Sequence, residues 1–324
     1  MIGYHDRIKR QFGRSAQGQY DSNVRVQLIM ATELAERIQT HYIGGNHSHA
    51  APARVMEIGC GTGTLTALLA RTQLLSRGSI TAIDISPGML AAASRKLLES
   101  CPEAMDRIQW VEADAEQWAT EYDRHKWSGE NRHTELWKQG VSGEQSDSDN
   151  ECQQLNAPFE LIVSNACFQW FVHPARTLAA LRGSLSDGGL LAFTTFGPRT
   201  MHELHTSFQQ AYHRLEMPYK HHGLSFHSLS AWQNMLHDSG WRLLDASSQE
   251  QIETHRSVPD FLHTVKAIGA SAASTDAQRI SLGDGAGRRL FREMFQIYES
   301  LFPEPDGTGV AATYETITIL AARD

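Results

Sequence analysis

The chain is short of cysteine. Its 324 residues hold only Cys60, Cys101, Cys152 and Cys167, far apart and with no CxxC pair. That is poor material for a disulfide framework or a thiolate zinc site, and it fits a reducing compartment. Long apolar runs are missing too: no stretch approaches the roughly 18 uncharged apolar residues of a membrane helix. The first residues, Met1-Ile2-Gly3-Tyr4-His5-Asp6-Arg7-Ile8-Lys9-Arg10, lack the apolar core of a signal peptide, so the expectation is a cytoplasmic protein. Positive charge is in deficit, with 29 Lys and Arg against 37 Asp and Glu, a net of -8. This argues against a nucleic-acid binder working through a general basic surface, although a local basic patch stays open. The remaining balance, 41% apolar and 20% charged, is ordinary for a globular protein and excludes collagen-like, coiled-coil and mostly disordered readings.

What is present is an alternation of strand and helix patterns. Val24, Leu28, Met30, Leu34 and Ile38 fall at near-helical spacing. Arg54 to Ile58 reads as a strand, Gly59-Cys60-Gly61-Thr62-Gly63 as a tight turn and Thr64 to Arg71 as a helix. Ile80 to Asp84 is a second strand, and Ser86-Pro87 opens another helix, with Ser86 as cap. Ile108 to Glu112, Phe159 to Ser164 and Leu190 to Thr195 are further strands, with a helix over Pro174 to Leu185. The rhythm predicts an α/β fold with an open, mainly parallel sheet. After Phe196 it changes. Helices are expected over Met201 to Leu215, Leu229 to Ser239, Phe261 to Ile268 and Arg288 to Tyr298, and a strand over Trp241 to Ala246. Tyr314 to Ala321 reads as a last strand that zips into the edge of the sheet beside the Trp241 strand. Residues 120–157 are rich in Ser, Gly, Asp, Glu, Asn and Gln, and a connection of that length without a core pattern reads as a mobile surface insertion.

The chemistry gathers at the carboxyl ends of the predicted strands. Glycines 59, 61 and 63 let a ligand approach the main chain, and Asp84 ends the second strand, where a carboxylate grips two ribose hydroxyls. NAD and other adenosine cofactors share that layout. A dinucleotide fingerprint, however, places its third glycine one residue later, and Glu57 stands two residues before the first glycine. A carboxylate there repels a pyrophosphate but attracts the ammonium of S-adenosylmethionine (SAM). Asp114-Ala115 ends the third strand and can accept from an adenine amino group while donating to a ring nitrogen. Asn165 ends the fourth, below the methionine portion. Each has a plainer reading as a cap, turn or strand-end residue.

Through Glu57 to Gly63, Asp84, Asp114-Ala115 and Ser164-Asn165, the chain resembles class I SAM-dependent methyltransferases. Within them it is similar to the malonyl-[acyl-carrier protein] O-methyltransferases of biotin synthesis. That closer resemblance rests on Phe12 to Ala16 with Tyr20 and Gln27, Asn165 to Trp170, Phe193 to Pro198 with Glu203-Leu204, Leu262 to Gly269, and Thr313-Tyr314-Glu315. It implies a single Rossmann-like domain over residues 1–324, with a mostly parallel seven-stranded sheet and an antiparallel last strand. It also implies an amino-terminal helical cap over residues 1–40 and a lid segment over residues 197–230. The cofactor would be SAM, held by Tyr20, Gln27, Glu57, Gly59, Gly61, Asp84, Ile85, Met89, Asp114, Ala115 and Asn165. The acceptor would be the free carboxylate of malonyl-acyl carrier protein or malonyl-CoA.

A malonate carboxylate is ionised at neutral pH, so no catalytic base is expected, and no Ser/His/Asp or metal constellation is evident. His47-x-His49 and His221-His222 lack a third ligand and predict no metal. Tyr20, Arg199, His202, Lys220, His222 and Trp170 are the candidates for orienting the acceptor, Arg199 foremost, because a guanidinium suits a carboxylate. Phe168 and Phe171 line a wall or pack in the core. Lys9, Arg10 and Arg14, or Arg288, Arg289 and Arg292, could dock an acidic carrier protein. A methyltransferase for another small acid or a quinone-type metabolite shares every cofactor residue. An inert SAM-binding module and an NAD oxidoreductase fit the motifs less well.

Overall fold

The computed structural model describes residues 4–15, 25–44, 53–72, 78–128, 157–267, 285–304 and 307–324. Seven strands form one sheet in the order β3-β2-β1-β4-β5-β7-β6. They are β1 (Arg54–Ile58), β2 (Ser79–Asp84), β3 (Ile108–Glu112), β4 (Phe159–Asn165), β5 (Leu185–Phe196), β6 (Trp241–His255) and β7 (Val310–Arg323). The first five pair in parallel, and β7 runs antiparallel to both of its neighbours. The strand order reverses at β1, with β2 on one side and β4 on the other. A doubly wound sheet opens a crevice at that point.

Side-chain alternation along the strands builds two cores. On one face Met56, Ile58, Ile162, Leu191, Phe193, Ile317 and Ile319 meet Trp118, Leu178, Leu181, Trp232 and Leu236. Those partners come from α5 (Ala115–Ser128), α6 (Pro174–Ser184) and α8 (Leu229–Asp238). On the other face Val55, Ala82, Val163, Ala192 and Leu320 meet Ala31, Leu34, Ile38, Leu65, Leu69 and Leu90. These belong to α2 (Arg25–Gly44), α3 (Thr64–Ala70) and α4 (Pro87–Ser100). A third core joins α7 (His202–Arg214), α9 (Val258–Ala267) and α10 (Gly285–Leu301) to the amino-terminal part of β7 through Leu204, Phe208, Phe261, Leu290, Met294 and Tyr314. In α10 the buried Gly287, Leu290, Met294, Ile297 and Tyr298 form one helical stripe.

Several expectations change. The last strand takes the Trp241 strand as its mate, but it lies between β5 and β6, and β6 is the edge. Most of β7 is buried on both faces, as an interior strand requires, while β6 is largely half-buried or exposed. That polar character also hid the length of β6, which runs on to His255. Helix α2 packs along the sheet as a structural layer and brings Gln27 to the crevice, which α1 (Tyr4–Ser15) also reaches with Ile8 and Phe12. Leu28, placed on the apolar stripe by spacing, is 49% exposed. Residues 197–230, expected as a lid, contain the packed helix α7, with Met201, Leu204, Phe208 and Tyr212 buried. Helix α5 continues to Ser128, taking up the start of the expected insertion. Residues 129–156 lie outside the described residues.

Candidate functional site

A crevice opens where the ends of β1, β2, β3 and β4 meet, and its lining comes from the turn after each. The β1 turn has positive φ at all three glycines, 66°, 54° and 78° at Gly59, Gly61 and Gly63. A Cβ on Gly59 would sit 2.4 Å from Cys167 Sγ, and one on Gly63 would sit 2.9 Å from Ala93 Cβ. One on Gly61 would meet nothing within 4 Å. The outer glycines therefore permit close packing, and the middle one leaves main chain facing open space in the crevice.

Asp84 braces this turn. Its carboxylate accepts from Gly61 N and Ser86 N, both at 2.9 Å, and burial pushes its pKa up to about 6. Ser86 stands at the start of α4 as expected, but its hydroxyl makes no capping bond. Glu57 faces α3 and is almost fully buried, accepting from Thr66 Oγ1 at 2.7 Å. Burial foremost, with the Asp84 charge adding, pushes its pKa up to about 8 against the opposing Thr66 bond. Cys60 and Cys167 beside them are held as neutral thiols, again chiefly by burial.

Asp114 Oδ1 accepts from the backbone N–H groups of Glu116 and Gln117, at 2.9 and 3.2 Å, at the start of α5. Asn165 is doubly tied. Its Oδ1 accepts from Thr194 Oγ1 at 2.6 Å, and its Nδ2 donates to the Gln27 carbonyl at 3.0 Å. That second bond fixes the first turn of α2 against the end of β4 and holds Gln27 at the crevice. Ala166 follows with φ 50°, a strained angle for a residue with a Cβ.

The crevice thus gathers Gln27, Glu57, Gly59, Gly61, Asp84, Ile85, Met89, Asp114, Ala115, Asn165 and Trp170, eleven positions that the sequence singled out. The aromatic run divides. Trp170, in edge contact with Phe12 at 5.2 Å, and Phe171 are walls, while Phe168 stacks on Phe193 at 4.4 Å in the core. Tyr20 lies outside the described residues.

The other orienting candidates are not brought here. Arg199 is exposed and ion-paired with Glu250, and its backbone N–H donates to Glu315 Oε2 at 2.8 Å. This fixes the turn after β5 onto β6 and β7, away from the crevice. His202 stands beside Glu203 at 3.3 Å, and Lys220 is exposed. His222 meets the Tyr212 hydroxyl at 2.9 Å, in a setting where burial first, then His221 and Lys220, bring its pKa down to about 4. None of the four lines the crevice.

Sequence reasoning missed Glu116. It is buried at the lining and accepts from Val172 N, His173 N and Thr177 Oγ1 at 2.7, 2.8 and 3.1 Å. One carboxylate thereby pins the loop after Trp170 to α5. Its only sequence signal is an acidic residue in the first turn of a helix. The lining carries four acids, Glu57, Asp84, Asp114 and Glu116, and no Lys, Arg or His among the described residues. Such a site suits a cationic ligand with ribose-like hydroxyls.

Comparison with known proteins agrees with this geometry. Residues 22–246 match the family model described as a methyltransferase domain. The malonyl-[acyl-carrier protein] O-methyltransferase of Paenibacillus sp. (strain JDR-2) is 38% identical over 314 residues, 97% of each chain. Its counterpart from Brevibacillus brevis is 34% identical over 93% of this chain and 91% of its own. A magnesium protoporphyrin IX methyltransferase from Synechocystis, with bound SAH, aligns at a TM-score of 0.48 and 13% identity over 95% of this chain and 88% of its own. An acidic crevice at the strand-order switch, and similarity that runs the length of the chain, place this protein in the malonyl-[acyl-carrier protein] O-methyltransferase family.

Proposed function

We infer that this chain methylates the free carboxylate of a malonyl thioester, carried by acyl carrier protein or CoA, with S-adenosylmethionine as methyl donor. The product is the malonyl methyl ester that begins pimeloyl formation in biotin synthesis. The observation that carries this reading is the full-length similarity to proteins of that name. The crevice supports it with acids for a sulfonium cofactor and a glycine turn with a single unfilled position. The same reading puts the enzyme in the cytoplasm with its carrier-protein substrate. Among the described residues no helix is long and apolar enough to cross a membrane.

SAM supplies an electrophilic methyl group on a sulfonium. In our reading Asp84 receives the ribose hydroxyls, and Asp114 with the Ala115 amide reads the adenine edge. Ile85 and Met89 flank the adenosine. Glu57 faces the ammonium, directly or through water, and Gln27 and Asn165 stand at the methionine end. The acceptor is already a nucleophile. The chain's contribution is therefore alignment for in-line displacement and exclusion of water by Ile8, Phe12, Trp170 and Phe171, without a proton to move. For docking an acidic carrier, Arg288, Arg289 and Arg292 lie exposed on α10, while Lys9 is engaged by Glu112.

The test supplies labelled SAM with malonyl-carrier protein, malonyl-CoA and free malonate as separate acceptors, and acetyl thioester as control. Label should enter malonyl thioester as a base-labile methyl ester and stay out of acetyl thioester. Equal use of free malonate, or label on the acetyl control, would refute the thioester-carboxylate reading.

A further inference from the structure

A second cavity adjoins the cofactor crevice, and nothing so far assigns it a role. It lies at the carboxyl edge of β5 and β6, between the first turn of α2 and helix α9, with a volume of about 290 Å³. That is close to the lower bound of small-ligand sites, roughly 300–1,000 Å³. Gln27 lines both cavities, and in the reading above it stands at the methionine end of the cofactor.

The two linings differ in charge. The crevice has four acids and, among the described residues, no base. The second cavity brings in Arg25 and Arg256 with Glu253 and Asp260. Arg256 is committed to Asp260, with contacts at 3.0 and 3.4 Å. Arg25 is not similarly engaged. Its one ion pair among the described residues is a loose contact of 3.8 Å between Nε and Glu253, which leaves the terminal fork of the guanidinium for a second carboxylate. It also begins a 20-residue helix, whose positive end favours an anion. Two neutral donors complete the lining. Tyr314 is buried, and that burial keeps its hydroxyl protonated. His255 is 8% exposed, its Nε2 has no partner among the described residues, and burial lowers its pKa, keeping the ring neutral.

We propose that this cavity is the acceptor site, and that Arg25 holds the carboxylate to be methylated beside Gln27, with Tyr314 and His255 facing the thioester end. The assignment rests on the malonyl-thioester reading above. It gives Arg25 the role that the sequence suggested for Arg199, which lines neither cavity. The charge pattern favours entry from this side: a carboxylate entering through the acidic crevice would be repelled, whereas Arg25 and the helix end attract it.

The test compares wild type, Arg25→Met and Arg25→Lys in the full chain. The Arg25 side chain is 80% exposed, so neither change threatens folding. SAM affinity is measured by calorimetry, and kcat and KM with malonyl-CoA and malonyl-carrier protein. The expected result is a fall in kcat/KM of about 10²-fold for Arg25→Met, partial recovery in Arg25→Lys, and SAM affinity within about twofold of wild type. A competent wild type with an unaffected Arg25→Met overturns the assignment alone, as does a parallel loss of SAM affinity. A wild type inert towards every malonyl thioester overturns the functional reading beneath it.

Discussion

If Glu57 faces the ammonium as proposed, SAM binding is a proton-linked event. With only protein around it, its carboxyl titrates at about 8 and that of Asp84 at about 6. At pH 7 the first is therefore about nine-tenths protonated and the second about one-tenth. A cation beside Glu57 favours its ionised form, so binding should release about one proton at pH 7. The direction follows from the raised pKa: protonation competes with the ligand, and affinity grows as pH rises towards 8. Between pH 6 and 7 the gain is about ninefold through Glu57, with about twofold more through Asp84. Near pH 8 it levels off, because Glu57 is then about half ionised unaided while an α-amino group of pKa roughly 7.7–8.0 is losing its charge, and the two effects cancel. The fold has the opposite sign. A carboxyl whose pKa is raised on folding loses stability as pH climbs from its unfolded value near 4.5 through 8. Calorimetric titration in two buffers of different ionisation enthalpy gives the proton count directly. Glu57→Gln keeps an acceptor for Thr66 and should flatten both slopes. Wild-type binding without proton release at pH 7, or an unchanged slope in Glu57→Gln, would refute the reasoning.

Asp84→Ala removes two turn bonds and the proposed ribose acceptor, and should weaken SAM binding by roughly 1–3 kcal/mol, read by the same titration; unchanged affinity would overturn that role. Gly59→Ala drives a methyl into Cys167 at positive φ, so its midpoint of thermal unfolding should drop by several degrees or the variant should fail to fold. Gly61→Ala pays only the backbone cost of about 1–2 kcal/mol and projects into open space, so it should lose SAM affinity more than stability; thermal melts with and without SAM separate the two. Replacing residues 129–156 with a short Gly/Ser linker should leave turnover within about threefold, since that composition offers little apolar surface to offset ordering; a loss above tenfold in a folded variant would give the segment a part in docking or catalysis.

The cofactor crevice was legible because its chemistry is local. The glycine turn, Asp84, Asp114 and Asn165 each follow directly on a short apolar strand, and strand ends can be read from alternation and turn residues. Residues that work across the chain left weaker signals. Glu116 bonds to residues about 57 positions away, and no local pattern distinguishes it from any acid opening a helix. The same holds for Glu315, which accepts from Arg199 N and Ser248 Oγ at 2.8 Å each and fills the space where a Cβ on Gly197 would lie. That anchor ties the turn after β5, with Arg199 in it, to β7, which the residues around Arg199 alone do not reveal. The edge position of β6 was hidden because a half-exposed strand carries few apolar residues, while the buried β7 displayed all of its own.

The distribution of charge also separates the two jobs of the site. A methyltransferase for a carboxylic acid must hold a cation and an anion close together without letting the anion bind in the cation's place. Here the cation's pocket draws acids from three of its four strand ends, Glu57 on β1, Asp84 on β2 and Asp114 after β3, and adds Glu116 on α5. Two of those acids, Glu57 and Asp84, have raised pKa values because burial deprives them of water. An ammonium and a sulfonium relieve that cost, whereas a second carboxylate would add to it. The arginines line the second cavity, which shares Gln27 with the crevice and whose acids can pair with them. In our proposal the acceptor approaches with its charge turned towards Arg25, and a carboxylate oxygen, rather than the thioester, is presented to the methyl group.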